Sequence, residues 1–173
     1  VSTDFIFDGK SGPYKEDDRP HPLSVYGHSK LAAEQIVRGM KGSWAIVRTI
    51  LVYGVLSNMS RSNIVLWAKK SLEEGKPIKV VNDQWRMPTL AEDLAEGCLQ
   101  IAQERAEGIY HLSGKDMMSV VEMVRQVADA WQLDKSLIEE INSADLRQKA
   151  VRPKKTGFVL DKAMTKLNYK PHS

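Results

Sequence analysis

Ser24-Val-Tyr-Gly-His-Ser-Lys-Leu-Ala-Ala-Glu34 sets the reading of this chain. Ser24 is an N-cap residue, and Val25, Leu31, Ala32, Ile36 and Val37 give a roughly helical apolar stripe to about Met40. Gly39 and Gly42 end that helix. Tyr26 and Lys30 stand four positions apart, so they share a helix face, displaced by one turn. A phenol is a weak acid with a reference pKa of about 10, and an ammonium a few Å away favours its phenolate. Such a pair suits protonation of an oxyanion. Upstream, Val1-Ser-Thr-Asp-Phe-Ile-Phe7 reads as a strand closed by Asp8-Gly9. It brings Ser2 and Thr3 to the strand end, where a hydroxyl can bind the same carbonyl.

Between these two segments, residues 8–23 hold glycines, prolines and a run of charges, the signature of a surface loop. Glu16-Asp17-Asp18 reads as a solvated part of it. Downstream, Trp44 to Thr49 is a second strand that Ile50 to Tyr53 extends. Ser60 or Ser62 starts a helix with Ile64, Val65, Trp67, Ala68 and Leu72 on its apolar side. Residues 78–81 form a strand, 92–105 a helix, 108–112 a strand and 119–132 a strongly amphipathic helix. A short strand at 138–141 and a helix from Asp161 to Leu167 complete the pattern. Strands that alternate with helices, each an unbroken apolar run, predict an α/β fold with a parallel sheet covered on both faces.

The 173 residues are 42% apolar and 27% charged, which excludes a disordered tail or a fibre. A net charge of +3 gives no argument for nucleic acid or an anionic membrane as partner. No apolar run reaches the ~18 residues of a membrane span. Cys98 is alone, so an intrachain disulfide and a cysteine-rich metal cage are excluded, and a reducing, cytoplasmic setting follows. The four histidines lack metal-ligand spacing; His28 points away from the Tyr26–Lys30 face and His111 sits in an apolar strand as a core histidine. Trp44, Trp67 and Trp131 fall on apolar stripes as core residues, while Trp85 lies in a turn within reach of a ligand. Arg147, Lys149, Arg152, Lys154, Lys155, Lys162, Lys166 and Lys170 face one acid, Asp161, in the last 27 residues. That surplus is either a solvated face or a place where Arg152, Lys154 or Lys155 meets a phosphate-bearing ligand.

Ser2-Thr-Asp-Phe-Ile-Phe-Asp-Gly9 and Pro22-Leu-Ser-Val-Tyr-Gly-His-Ser-Lys-Leu-Ala-Ala-Glu34 together resemble the extended short-chain dehydrogenase/reductase family, and within it the dTDP-4-dehydrorhamnose reductases. Val47-Arg-Thr49, Val52-Tyr-Gly54, Val81-Asn-Asp-Gln84, Pro88-Thr89, Glu92-Asp-Leu-Ala95, Gly108-Ile-Tyr-His-Leu-Ser-Gly114 and Arg152-Pro153 agree in order. The resemblance implies the second part of a doubly wound Rossmann-like sheet over 1–49, carrying the catalytic helix. Over 50–173 it implies a mainly substrate-binding lobe with one or more elements returning to that sheet. It implies reduction of the 4-ketone of a dTDP-deoxysugar by NADPH or NADH in dTDP-rhamnose synthesis. Tyr26 would give the proton, Lys30 would lower its pKa and hold the nicotinamide ribose, and Thr3 would orient the carbonyl. Arg48 and Thr49 would lie beside the nicotinamide, with Asp4, Leu51, Arg86 and Arg152 toward the nucleotide-sugar substrate. Magnesium and a homodimer come with the family alone, and nothing in the sequence places either.

Three departures shape the expectation. No G-x-x-G-x-x-G pattern occurs, and Gly9 and Gly12 stand in an acidic loop that repels a pyrophosphate. The chain therefore reads as the C-terminal part of such an enzyme, inactive alone and a poor binder of dinucleotides. Arg48-Thr-Ile-Leu-Val-Tyr53 carries Leu51 where the reductases commonly have a tryptophan that packs on the sugar. Gln84-Trp-Arg-Met-Pro-Thr89 replaces a glycine-containing turn and offers Arg86 to a diphosphate. A similar turn occurs in the regulatory subunit of methionine adenosyltransferase. Two other readings stand beside reduction: an epimerase of nucleotide sugars using the same Tyr26 and Lys30, and a non-catalytic regulatory subunit of that kind.

Overall fold

The computed structural model describes residues 1–55, 62–146 and 150–172. Ser60 as a helix start, and Arg147 and Lys149 within the basic stretch, lie outside them.

β1 (Ser2–Thr3) is shorter than the strand expected through Phe7. Thr3 accepts the Phe5 N–H at 3.2 Å, and this cap turns Asp4–Ile6 into a 3-10 helix. The bend carries Asp4 and Phe5 across the strand end. After the loop, α1 (Val25–Arg38) starts where Ser24 accepts the Gly27 N–H at 3.1 Å. β2 (Ala45–Thr49) does not run on into β3 (Val52–Tyr53), because Leu51 between them holds a left-handed φ of 41°. That backbone costs a non-glycine residue about 1–2 kcal/mol. α2 (Ile64–Glu73) is capped by Asn63, which accepts the Leu66 N–H at 3.0 Å, rather than by Ser62. β4 (Ile78–Val81), β5 (Trp85–Arg86), β6 (Thr89–Leu90) and α3 (Ala91–Gln103) follow. Then come β7 (Gly108–His111), β8 (Met118–Ser119) and α4 (Val120–Ala130), whose start is a capping box between Ser119 and Glu122. β9 (Ile138–Ile141) and α5 (Asp161–Lys166) end the described elements.

β1, β2 and β7 form a parallel sheet in that order, with Thr3 opposite Thr49 and Arg48 opposite His111. β4 pairs with β9 and β3 with β6, both parallel, while β5 and β8 are antiparallel. The α/β class expected from the alternation is thus the observed one. The amphipathic α4 buries Val120, Val121, Val124 and Val127 against Ala68 and Leu72 of α2 and Val80 of β4. A second cluster, with Ile6, Phe7, Ile50, Met87 and Phe158, fills the space at the end of β1 and β2.

Two expectations about burial are corrected. On α1, Val25 is 88% and Ile36 71% exposed, and the one buried long side chain is Glu34. Trp67 and Trp131 are half-exposed rims of the α2–α4 layer. Trp131 carries the Lys69 ammonium 5.4 Å from its ring, a contact that keeps one indole face toward water.

Glu34 is buried because Arg48, 1% exposed, reaches it from β2 with paired bonds, Nε to Oε1 at 2.9 Å and Nη2 to Oε2 at 2.7 Å. The Arg48 Nη1 donates to the Glu16 carbonyl at 3.1 Å and meets the His111 Nε2 at 3.3 Å. His111 Nδ1 donates to the Tyr14 carbonyl at 3.1 Å, so its Nε2 is the acceptor. Glu16 also accepts the His111 backbone N–H, so this part of the acidic loop is docked on β7 rather than solvated.

Burial first, and the Arg48 cation second, push the His111 pKa from 6.5 down to about 3. The unfolded chain takes up this proton below pH 6.5 and the folded chain does not. His111 therefore favours the fold fully above pH 6.5 and progressively less as pH falls toward 3. Guanidinium denaturation at neutral pH and at about pH 5 will show a larger loss for the wild type than for His111→Gln. Equal losses would remove His111 as the source.

Candidate active site

The carboxyl ends of parallel strands are where α/β folds gather chemistry. Thr3 closes β1 there and lies level with Thr49 on β2. α1 is drawn onto this edge by a glycine. A Cβ at Gly27 would stand 2.3 Å from the Phe5 carbonyl oxygen, so only glycine lets the first helical turn rest on the 3-10 turn. The contact brings Tyr26 beside Phe5, their rings edge to face at 6.0 Å. One turn on, Lys30 donates from Nζ to the Val1 carbonyl at 2.9 Å, which leans its ammonium along β1.

A cavity of about 280 Å³ opens beside them. Thr3, Asp4, Phe5 and Tyr26 form one wall. Leu51 at its bend, with Arg86 and Arg152, forms another. Ile64, Val81, Val120 and Leu146 close the apolar side. Tyr26 and Arg152 also border an adjoining hollow of about 590 Å³ that Val25 and Val151 line. Another cavity of about 280 Å³, walled by Tyr53, Met118 and Trp131, holds none of the residues that the sequence nominated.

Thr3, Asp4, Tyr26, Leu51, Arg86 and Arg152 thus meet at one place, though not all in the expected roles. Asp4 is 3% exposed and accepts from Thr3 at 3.1 Å and from Thr156. The expectation that Arg86 binds a diphosphate is corrected. Its Nη1 donates to the Trp85 and Lys154 carbonyls at 2.7 and 3.2 Å. Its Nη2 donates to Gln84 Oε1 and the Pro153 carbonyl at 3.1 and 2.8 Å. A guanidinium so committed holds the 153–154 backbone and leaves anions to its neighbour. Arg152 is exposed, lines the cavity, and makes no hydrogen bond or ion pair among the described residues. The expectation that Arg48 touches a cofactor is corrected as well, since its N–H groups face Glu34, Glu16 and His111 in the core. Thr49 donates to Thr89 at 3.3 Å, is buried, and is not part of the cavity wall.

The rest of the basic stretch disperses. Lys154 pairs with Asp83 at 3.4 Å, and Lys162 donates to the Ile109 carbonyl at 2.6 Å beneath the Tyr110 ring. Trp85 pairs with Ser119 of β8 and is not among the residues that wall the cavity. Sequence reasoning missed Thr156, Gln84 and Glu34. Glu34 had a signal, one turn beyond Lys30 on the same helix; Thr156 had none, being 152 positions from its partner Asp4.

The residues fit one end of a nicotinamide cofactor. An ammonium has three N–H donors, and Lys30 uses one on Val1, leaving others toward a ribose diol beside the exposed Tyr26 hydroxyl. Gly9 and Gly12 are no phosphate cradle: a Cβ on either would strike the backbone of residues 154–155 at about 2.7 Å. Among the described residues no cluster of histidine, cysteine or carboxylate side chains suits a metal ion. No described helix is long and apolar enough to cross a membrane.

A parallel sheet with a hydroxyl at one strand end and a Tyr-x-x-x-Lys helix laid across it is the arrangement of extended short-chain dehydrogenases/reductases. The model of the RmlD substrate binding domain matches residues 1–173, and the chain belongs to that family. It is 36% identical over 146 residues to methionine adenosyltransferase 2 subunit beta of Xenopus tropicalis, covering 82% of this chain and 44% of that one. A probable low-salt glycan biosynthesis reductase of Haloferax volcanii is 30% identical over 157 residues, covering 90% of this chain and 52% of the other. The chain spans about half the length of these curated relatives. The solved dTDP-4-dehydrorhamnose reductase of Bacillus anthracis, in complex with NADP, superposes with a TM-score of 0.83 at 26% identity, covering 96% of this chain and 63% of its own. A hypothetical dTDP-4-dehydrorhamnose reductase of Sulfolobus tokodaii gives 0.86 at 27% identity, covering 99% and 59%.

Proposed function

We propose that the chain carries the substrate-binding and proton-donating part of an NAD(P)H-dependent reductase acting on the 4-ketone of a dTDP-linked deoxysugar. The observation that carries this reading is the single cavity joining Thr3, Tyr26 and Arg152. The ketone oxygen lies between the Thr3 and Tyr26 hydroxyls. Tyr26 donates its proton to the oxygen as the new alcohol forms. The Lys30 ammonium, one turn along α1, steadies the charge left on the phenol. Arg152 meets the diphosphate as a charge-assisted partner at the mouth. Leu51, Ile64, Val81 and Val120 offer an apolar wall to the deoxygenated face of the sugar. A nicotinamide cofactor, held at its ribose end by Tyr26 and Lys30, supplies the hydride when bound. The single cysteine supports a reducing compartment, the cytoplasm, as its setting.

The test uses the natural polypeptide that contains these residues, supplied with NADPH and a dTDP-4-keto-6-deoxy sugar. One NADPH is consumed for each C4 alcohol formed. Conversion of the sugar without net NADPH consumption would mark an epimerase instead. The 173-residue chain alone should show no micromolar affinity for NADPH, since it has no glycine-rich cradle.

A second reading is favoured by the identity to the methionine adenosyltransferase 2 beta subunits, which their name makes subunits of an assembly. On that reading the chain is a binding partner, and the Tyr26 hydroxyl is dispensable.

A further inference from the structure

Asp4 is a carboxyl with both oxygens taken by hydroxyls from opposite ends of the chain. Oδ1 accepts from Thr3 at 3.1 Å, and Oδ2 accepts from Thr156, which is fully buried. Thr156 belongs to a segment fixed on three sides. Its own N–H donates to the Trp85 carbonyl at 3.2 Å, Lys155 N–H donates to the Gly9 carbonyl at 3.2 Å, and Arg86 donates to the Pro153 and Lys154 carbonyls. Arg86 also places its Nε 3.9 Å from Oδ2.

We propose that Thr156 is a positioning residue for Thr3: by donating to one oxygen of Asp4 it reserves the other for Thr3 and sets which way the Thr3 hydroxyl points. This rests on the reductase reading above. A hydroxyl has one proton. When Asp4 is ionised, Thr3 gives that proton to Oδ1 and presents only lone pairs to a ketone. When Asp4 is protonated, Thr156 still donates to Oδ2 with the Arg86 cation beside it, so the carboxyl proton sits on Oδ1 and is donated to Thr3. The Thr3 proton then turns into the cavity, where it polarises the ketone oxygen. Burial raises the Asp4 pKa above its ordinary 3.8, against the opposing pull of Thr156, Arg86 and Thr3, and so favours this second state. The charged and titratable groups around Asp4 are Arg86 from β5, Tyr26 from α1 and Arg152 from the segment itself.

The experiment uses the natural polypeptide that contains these residues, with two readouts. In the first, the ¹³Cγ resonance of Asp4 is titrated. Thr156→Val removes a donor to the carboxylate and moves the midpoint to higher pH, and Thr156→Ser leaves it in place. In the second, ketone reduction is followed against pH. Thr156→Val lowers kcat about tenfold with little change in KM and shifts the alkaline fall upward, and Thr156→Ser restores both. Asp4→Asn removes the titrating carboxyl beside Thr3 and abolishes that fall, whatever its effect on kcat. An unmoved ¹³Cγ midpoint in Thr156→Val overturns the proposal, as does an alkaline fall that persists unchanged in Asp4→Asn. If Thr156→Val does not fold, Asp4→Asn decides. If the wild type does not reduce the ketosugar, the functional reading fails, and the titration still judges Thr156.

Discussion

On the reductase reading proposed above, Tyr26→Phe lowers the rate of ketone reduction by about 10²–10⁴-fold, the usual contribution of a positioned general acid, while KM changes little. The ring stays. It is half exposed, its aromatic partner is Phe5 at 6.0 Å, and it fills no core space. Removing its hydroxyl should thus leave the unfolding free energy within about 0.5 kcal/mol of wild type, as for surface substitutions generally. Measuring kcat together with the denaturation midpoint separates loss of chemistry from loss of fold. A variant with undiminished rate would end the role given to Tyr26. A wild type without reductase activity, whose association with a partner subunit survives Tyr26→Phe, would favour the regulatory reading.

Arg48→Ala will destabilise the protein by about 3–5 kcal/mol, because it strips the partner from a carboxylate that stays buried. Glu34 and Arg48 have side chains 2% and 1% exposed, so water cannot take the place of the missing guanidinium. The Glu16 carbonyl and His111 Nε2 lose their donor in the same step. Such a loss is a large fraction of the stability of an ordinary domain and is readable in a guanidinium melt. Glu34→Leu combined with Arg48→Met should recover part of it, since an apolar pair carries no unpaired charge. A single variant within about 1 kcal/mol of wild type would show that the pair contributes little.

Local pattern was enough for most elements. The cap at Ser24, the alternation of strands and helices, and the apolar stripe of α4 each report a preference set within a few residues. Thr3 and Tyr26, which the cavity brings together, were nominated from equally local signals, a strand end and a helical spacing; Lys30, nominated by the same spacing, lies against the Val1 carbonyl beside the cavity wall. What escaped depends on meetings between distant segments. Nothing near Val1–Phe7 announces that Thr3 caps a turn and ends β1 early. Arg48 and Arg86 look like site residues in the sequence, yet carbonyls and a carboxylate from elsewhere in the chain hold them. The exposed Val25 and Ile36 show the converse: an apolar stripe states a tendency to be covered, and the tertiary packing decides whether it is.

The contact between Asp4 and Thr156 joins two points 152 positions apart, and Arg152 reaches the cavity wall from the same late segment. During synthesis the strand, the helix with Tyr26 and most of the sheet leave the ribosome long before this segment exists. A chain stopped near residue 150 would hold Thr3, Tyr26 and the apolar wall of Ile64, Val81 and Val120, but would lack Arg152 and the Thr156 bond that fixes Asp4. Because closing so long a loop is slow, recovery of ligand binding after denaturation should trail recovery of helical signal.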